Sequence, residues 1–430
     1  MSRGETTRMS YPPEVGASPT GDYVSKREAV LHVMAAVAFL VLFQAYLVAP
    51  LIPSLSIEFH ASTDFLGMLV PAYMLPYGIS TLFYGPISDR FGRKAVFLTL
   101  LGLMVVMIAG VATANTVPQM MVWRLLGGAI TGGTVPISLA LLGDIYPYEQ
   151  RGRPLGWIFG AAAGGMAFGS TLGAFLNPII GWRWEFLIIA ALTAAVLAYA
   201  LRLRWFLEGE IVAHPLSPGK VIAGYWELLT SARGARTYTY IFLNSMFHSG
   251  VYSWLGLYFW QRYHLGDEGI GLALLGYGIP GMLFGPFFGH LADRVGRKRI
   301  IPFGILIGAL AGAALIPRAP LRWPVAITTV LSLGYDTSHP LLAGISTSLN
   351  PSRRGLAMGL NSFSLFSGLG LGALAFEPLL KYGFSTALAI FALVQLCLAI
   401  LAVQLFRGED SSAENHSEIT GSGSVSKIPK

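Results

Sequence analysis

The sequence predicts an all-α integral membrane protein, with twelve transmembrane helices in two pseudo-symmetric six-helix halves. Two observations carry this. Charged residues make up 12% of the 430-residue chain and hydrophobic residues 54%, against about 25% charged in an ordinary soluble domain, and the mean hydropathy is +0.60. Second, a shift of 204 residues lays the chain on itself: Gly85, Asp89, Arg90, Gly92, Arg93 and Lys94 fall on Gly289, Asp293, Arg294, Gly296, Arg297 and Lys298. The same offset places Gly67 on Gly271, Tyr73 on Tyr277, Pro76 on Pro280, Pro136 on Pro340 and Pro147 on Pro351, without a gap over roughly 80 residues. A register that long marks an internal duplication.

Residues 1–28 are polar, include Tyr11, Pro12 and Pro13, and lack an apolar core ending in a small-residue cleavage site, so they read as a cytoplasmic tail and not a signal peptide. Hydrophobic runs then place spans at 29–52, 65–86, 95–114, 118–142, 154–176 and 184–206, the N-terminal half at 29–206. The longest internal connection, 207–236, carries Pro215, Pro218 and Gly219 and reads as a cytoplasmic linker. Within it Lys220 to Ser231 is expected as a short interfacial helix with Tyr225, Trp226 and Leu228 toward lipid. Six further runs at 237–261, 269–290, 300–317, 323–346, 355–376 and 384–406 make the C-terminal half, 237–406, and 407–430 is expected as a disordered cytoplasmic tail.

Orientation follows from the basic residues. With a cytoplasmic N-terminus, 23 of the 29 Lys and Arg lie in cytoplasmic segments, while Arg183, Arg262, Arg318, Arg322 and Lys381 lie outside, which places both termini in the cytoplasm. The net charge of +7 is accounted for by basic loops facing anionic lipid, so no nucleic-acid partner is expected. A single cysteine, Cys397, excludes a disulfide framework or a cysteine metal cluster. No cofactor, metal or nucleophile motif is read, so an enzyme is not expected. The glycine runs lack the preceding strand that a nucleotide-binding loop requires and read as close helix packing.

The duplicated loop, Gly85 to Lys94 and Gly289 to Lys298, resembles the loop signature of the major facilitator superfamily, along nearly the whole chain. Its first half is similar to the 12-span drug:proton antiporter branch at Pro50 to Pro53, at Arg124 with Gly128 and Gly132, and at Gly181 to Phe186. The span-five antiporter pattern departs from that branch: Ser170 and Ala174 stand where the branch tends to have proline and glycine. The resemblance implies a secondary transporter that works by alternating access on a small-molecule substrate, with protons as the coupling ion and lipid as surroundings. It implies proton-coupled efflux of a small organic or amphipathic compound, as in multidrug resistance, by a monomer in the plasma (inner) membrane. Uptake of a metabolite by proton symport, facilitated diffusion, and a transporter-like receptor that moves nothing are the alternatives.

Residue chemistry supplies the candidate sites. At the expected cytoplasmic gate Asp89 can cap a helix N-terminus of the other half and Arg93 can pair with Asp144. Gly85 permits close packing and Gly92 a sharp turn, and Arg90, Asp293, Arg294, Gly296 and Arg297 complete the two loops. Arg124 lies about six residues into span four, roughly 9 Å below the outer interface, where burial costs about 2.5–3.5 kcal/mol. It either faces the cavity, for which the resemblance implies proton coupling, or snorkels to headgroups or binds neighbouring carbonyls. Asp336 lies roughly 20 Å deep in span ten, with His339 three residues on along the same face. A carboxylate beside an imidazole makes a proton carrier, or else a structural pair fixing the helix bent at Pro340. His248 in span seven falls on Gln44 of span one under the 204 shift, so symmetry puts both at the cavity, with Tyr46, Tyr73, Tyr252, Tyr277 and Asn361 as further lining.

Overall fold

The computed structural model describes residues 21–146, 152–203, 217–280, 283, 291, 295–350 and 354–409. Regular structure among the described residues is entirely helical. The first portion holds α1 (Gly21–Tyr46), α2 (Val48–Phe59), α3 (Thr63–Gly67), α4 (Leu69–Phe91), α5 (Arg93–Ala112), α6 (Val117–Thr131), α7 (Thr134–Ile145), α8 (Gly152–Ile180) and α9 (Trp182–Arg202). The second holds α10 (Pro218–Thr230), α11 (Ala232–Tyr252), α12 (Leu255–Tyr263), α13 (Asp267–Leu274), α14 (Arg297–Ala314), α15 (Arg322–Leu349), α16 (Arg354–Leu380) and α17 (Phe384–Leu405).

Among the described residues, eight helical stretches are long and apolar enough to cross a membrane: Ser25–Tyr46, Thr63–Phe91, Arg93–Ala112, Val117–Ile145, Arg153–Ile180, Trp182–Arg202, Gly355–Leu380 and Phe384–Leu405. The chain is an integral membrane protein. The spans expected at 237–261, 300–317 and 323–346 coincide with α11 and α12, α14, and α15, which fall outside that set for a chemical reason. Arg297, Lys298 and Arg299 open α14, and α11 and α15 carry Asn244, His248, Asp336 and His339 among several Ser and Thr. The span expected at 269–290 is described only through its start, α13.

Five expected spans are broken: span one at Leu47, span two at Met68, span four at Gly132 and Gly133, span seven at Ser253 and Trp254, and span eight after Leu274. In span one, Pro50 lacks the backbone donor that would continue the ladder. Elsewhere helices meet at close range. A Cβ on Gly165 or Gly169 of α8 would collide with the carbonyls of Phe39 and Phe43 of α1, and one on Gly368 or Gly372 of α16 with those of Phe242 and Met246 of α11. Small residues thus let these backbones touch, the packing favoured between membrane helices. α4 lies along α6 and α16, α5 along α9, and α14 between α15 and α17. Large apolar side chains point outward, among them Val106 of α5, Leu192 of α9 and Leu393 of α17, more than half exposed at 53%, 52% and 61%. Such a surface suits lipid and not water.

The duplication extends to the backbone: Gly92 and Gly296, matched by the 204 shift, have φ of 89° and 91°. Only glycine takes that conformation without strain, and each starts a helix, α5 and α14.

α10 corrects one expectation. Trp226 and Ile222 are each 69% exposed, but Tyr225 and Leu228 turn inward with Val221, three and four residues apart on one helix face. The Tyr225 hydroxyl donates to the Leu82 carbonyl of α4 at 2.9 Å. The tail beyond α17 also begins differently from expectation. Glu409, 6% exposed, accepts from Arg233 at 2.7 and 2.8 Å and from Arg236, and its carbonyl accepts from the Lys298 amide at 3.1 Å. Burial alone would raise the Glu409 carboxyl, but the hydrogen bonds and charges of Arg233 and Arg236 outweigh it and hold the carboxyl below its ordinary range.

Candidate functional site

Arg124 is 1% exposed, so it does not snorkel. The break after α1 leaves carbonyls at a helix C-terminus, a place that favours a cation. The guanidinium fills it: Nη1 donates to the Gln44 carbonyl at 3.0 Å and Nη2 to the Ala45 carbonyl at 3.2 Å. Nε donates to the Leu69 carbonyl at 3.3 Å, and the group lies 4.4 Å from the centre of the Tyr73 ring. Charge-assisted bonds of this kind offset burial where no carboxylate stands by. The Gln44 amide donates to the Tyr73 hydroxyl, which pairs with Thr131 at 2.6 Å. Gln44, Tyr73, Arg124 and Thr131 line one narrow cavity together with Met107 and Trp123.

The second portion builds a matching arrangement with different chemistry. His248 and Tyr277 are 29 residues apart, as are Gln44 and Tyr73, and the Tyr277 hydroxyl meets the His248 imidazole. The His248 ring stacks on Tyr335 at 3.8 Å, Tyr335 on His339 at 5.1 Å, and Tyr277 on Tyr252 at 4.1 Å. Asp336 accepts from Ser332 at 2.7 Å and is the next residue along α15 from Tyr335. Nδ1 of His339 is buried and has no hydrogen-bond partner among the described residues. Tyr46 of α1 meets Tyr252 of α11 at 5.3 Å, so the two arrangements touch through these rings. All four tyrosines, Tyr46, Tyr252, Tyr277 and Tyr335, are buried. The cluster offers apolar walls, hydroxyls and protonatable groups in one volume.

Asn361 lies apart from it, accepting from Ser346 at 3.3 Å in the packing of α15 against α16. Asn244 likewise bonds Ser338 at 3.0 Å and Gln395 at 2.8 Å.

At the end carrying the duplicated loops, Arg93 donates to both Asp144 oxygens at 2.6 and 2.7 Å and to Asp89 at 3.0 Å. Asp89 therefore faces Arg93, one helical turn away, and no bond to a helix N-terminus of the second portion is found among the described residues. Arg90 lies over Phe91 at 5.4 Å, and an added Cβ on Gly85 would meet open space. In the second loop the Arg297 guanidinium lies 3.7 Å from the position of a Cβ on Gly344. The residue 204 beyond Asp144 is Ser348, so a carboxylate partner is missing there. Asp293 and Arg294 lie outside the described residues.

Sequence reasoning missed the opposite end. Asp267, at the start of α13, accepts from Ser54 of α2 and from Asn177 of α8, the latter at 2.6 Å. These bonds join residues up to 213 positions apart, and no local pattern announces them. Glu185 of α9 is 4% exposed; the sequence showed it only as one letter in the Gly181 to Phe186 stretch.

The family model described as Major Facilitator Superfamily matches residues 34–373 and 241–427. Among curated proteins, the chain is 28% identical over 338 residues to the MFS-type transporter YceJ of Bacillus subtilis, covering 78% of this chain and 85% of that one. It is 25% identical over 346 residues to the quinolone resistance protein NorA of Staphylococcus aureus, covering 78% and 86%. Among solved structures, the human organic anion transporter MFSD10 superposes with a TM-score of 0.68 at 18% identity, over 88% of this chain and 99% of that one. The nucleoside transporter NupG gives 0.68 at 14%, over 88% and 100%.

Proposed function

The chain belongs to the major facilitator superfamily, and from that premise we propose that it exports a small organic, amphipathic compound in exchange for protons. It is a membrane transporter of small molecules and not an enzyme, as its relatives are. In this reading twelve spans form two six-helix halves, 29–206 and 237–406, that rock about the buried cluster and open it to each side in turn. The halves are joined by the linker 207–236, the termini lie in the cytoplasm, and the protein works as a monomer in the plasma membrane.

One observation carries the reading: His248 and His339 both stack on Tyr335, the residue before Asp336, and Tyr46 reaches the same group of rings from the first portion through Tyr252. An amphipathic compound finds stacking surfaces there, and a proton finds a carboxylate and two imidazoles. Arg124, held by carbonyls, supplies a fixed positive potential to one side. Arg93 with Asp144 and Asp89 forms the latch that keeps the cytoplasmic side closed during part of the cycle. Similarity to a quinolone resistance protein supports an organic compound as cargo and export as direction.

Proteoliposomes loaded with a fluorescent quinolone and given an inwardly directed proton gradient test this. Protonophore-sensitive, gradient-driven movement of the dye against its own concentration is expected, and equal flux with and without the gradient would refute proton coupling.

A further inference from the structure

Glu185 lies in the first turn of α9, where free backbone N–H groups are close, yet neither of its carboxylate oxygens has a hydrogen-bond partner among the described residues. It is 4% exposed. An ionised carboxylate in that position loses its hydration and gains no hydrogen bond in return. Among the described residues, the helices packed along α9 offer no cation to offset this. α1, α5 and α8 pack against α9, but their basic residues, Lys26, Arg27, Arg93, Lys94 and Arg153, stand at the opposite end. Arg183, on α9 itself, is taken by Glu58 and by the Ala114 carbonyl. Glu185 stands at the same end as Asp267: Trp182 and Arg183, three and two residues before it, donate to Glu58 of α2, one helical turn beyond Ser54.

Asp267 is also where the two portions close against each other. Its carboxylate takes hydrogen bonds from Ser54 and Asn177. At the same end, then, one carboxyl has donors and the other, Glu185, has none, and a buried carboxyl without donors is best served by a proton.

We propose that Glu185 is a proton-binding site of the outer gate, separate from Asp336 and His339: it holds a proton while Ser54, Asn177 and Asp267 are joined, and releases it when they part and water enters. The inference rests on the two-half reading above but not on the identity of the cargo or the direction of export. The sign follows from linkage. The closed outer end binds one more proton than the open one, so acid favours closure and a rise in pH favours opening, by at most about tenfold per pH unit for one proton.

Spin labels on Ile57→Cys of α2 and Glu268→Cys of α13, both exposed positions, in a Cys397→Ser background, report the outer distance without any transported compound. From about pH 5 to about pH 8 the long-distance population should grow by roughly tenfold or more in the otherwise unchanged protein. Glu185→Gln should keep the short distance throughout, Glu185→Asp should restore a pH response, and Asp336→Asn should leave it in place. A pH response that survives in Glu185→Gln, or none in the parent, overturns the proposal, as does a response abolished by Asp336→Asn but not by Glu185→Gln. Should Glu185→Gln fail to fold, the Glu185→Asp protein decides alone: its midpoint must move away from the parent's. Failure of quinolone export alongside an intact distance response would refute the cargo and leave this site standing.

Discussion

The two portions place a matching pair in register and then diverge in what they hold beside it. Gln44 with Tyr73 and His248 with Tyr277 are related by the 204 shift, but the position matching Arg124 is Thr328, and the one matching Asp336 is Gly132. The first portion therefore carries a permanent charge saturated by backbone carbonyls. The second carries a carboxylate and two imidazoles, Asp336, His248 and His339. An inherited scaffold thus holds a fixed cation in one portion and the groups proposed to bind the proton in the other.

The largest test of this contrast removes the fixed charge. Arg124→Ala strips three carbonyls and one tyrosine face of their partner, at a cost of about 3 kcal/mol, and should lower the melting temperature and abolish gradient-driven flux. Arg124→Lys keeps charge without the fork geometry; partial flux is expected, and full activity in the alanine protein would end the electrostatic role.

Next, Asp336→Asn should reduce proton-driven flux at least about tenfold while leaving exchange at equal pH measurable. Loss of both would point to folding instead of coupling. A milder change sharpens the comparison directly. His248→Gln gives the second portion the pair of the first, amide to tyrosine hydroxyl, so stability should change by less than about 1 kcal/mol, whereas the pH profile of transport should narrow. An unaltered profile would remove His248 from the titratable set.

The smallest effect belongs to Glu409. Its carboxyl is held below the ordinary range, so its contribution is complete above that range and lost as pH falls through the depressed value. Glu409→Gln should cost about 2 kcal/mol near neutrality and nothing once acid has protonated the native side chain, as thermal unfolding in detergent at several pH values would report.

Much of this was legible in the sequence because it repeats or lies within reach of one helix. The duplicated loop gave away the family, and the Arg93 to Asp144 pair followed from a basic residue opening one helix and an acid ending another. Asp336 and His339, three apart on one helix, were visible for the same reason. That neighbouring carbonyls could hold Arg124 was one reading of the sequence, but not which ones, because carbonyls have no letter and those of Gln44 and Ala45 are exposed only by the break at Leu47. Nor were Ser54 and Asn177 on Asp267, whose meeting depends on how the portions close. Tyr225 was assigned to lipid on its amphipathic character, and the packing of Val221 and Leu228 turned it inward.

That tyrosine gives the molecule an asymmetry between its two faces. Burial pushes the Tyr225 hydroxyl up to about 12, so its bond to the Leu82 carbonyl persists through any acidity a living cell meets. Joined at one end by this neutral hydroxyl among its contacts, and at the other beside the proposed proton-binding Glu185, the carrier would answer to acidity differently at its two ends.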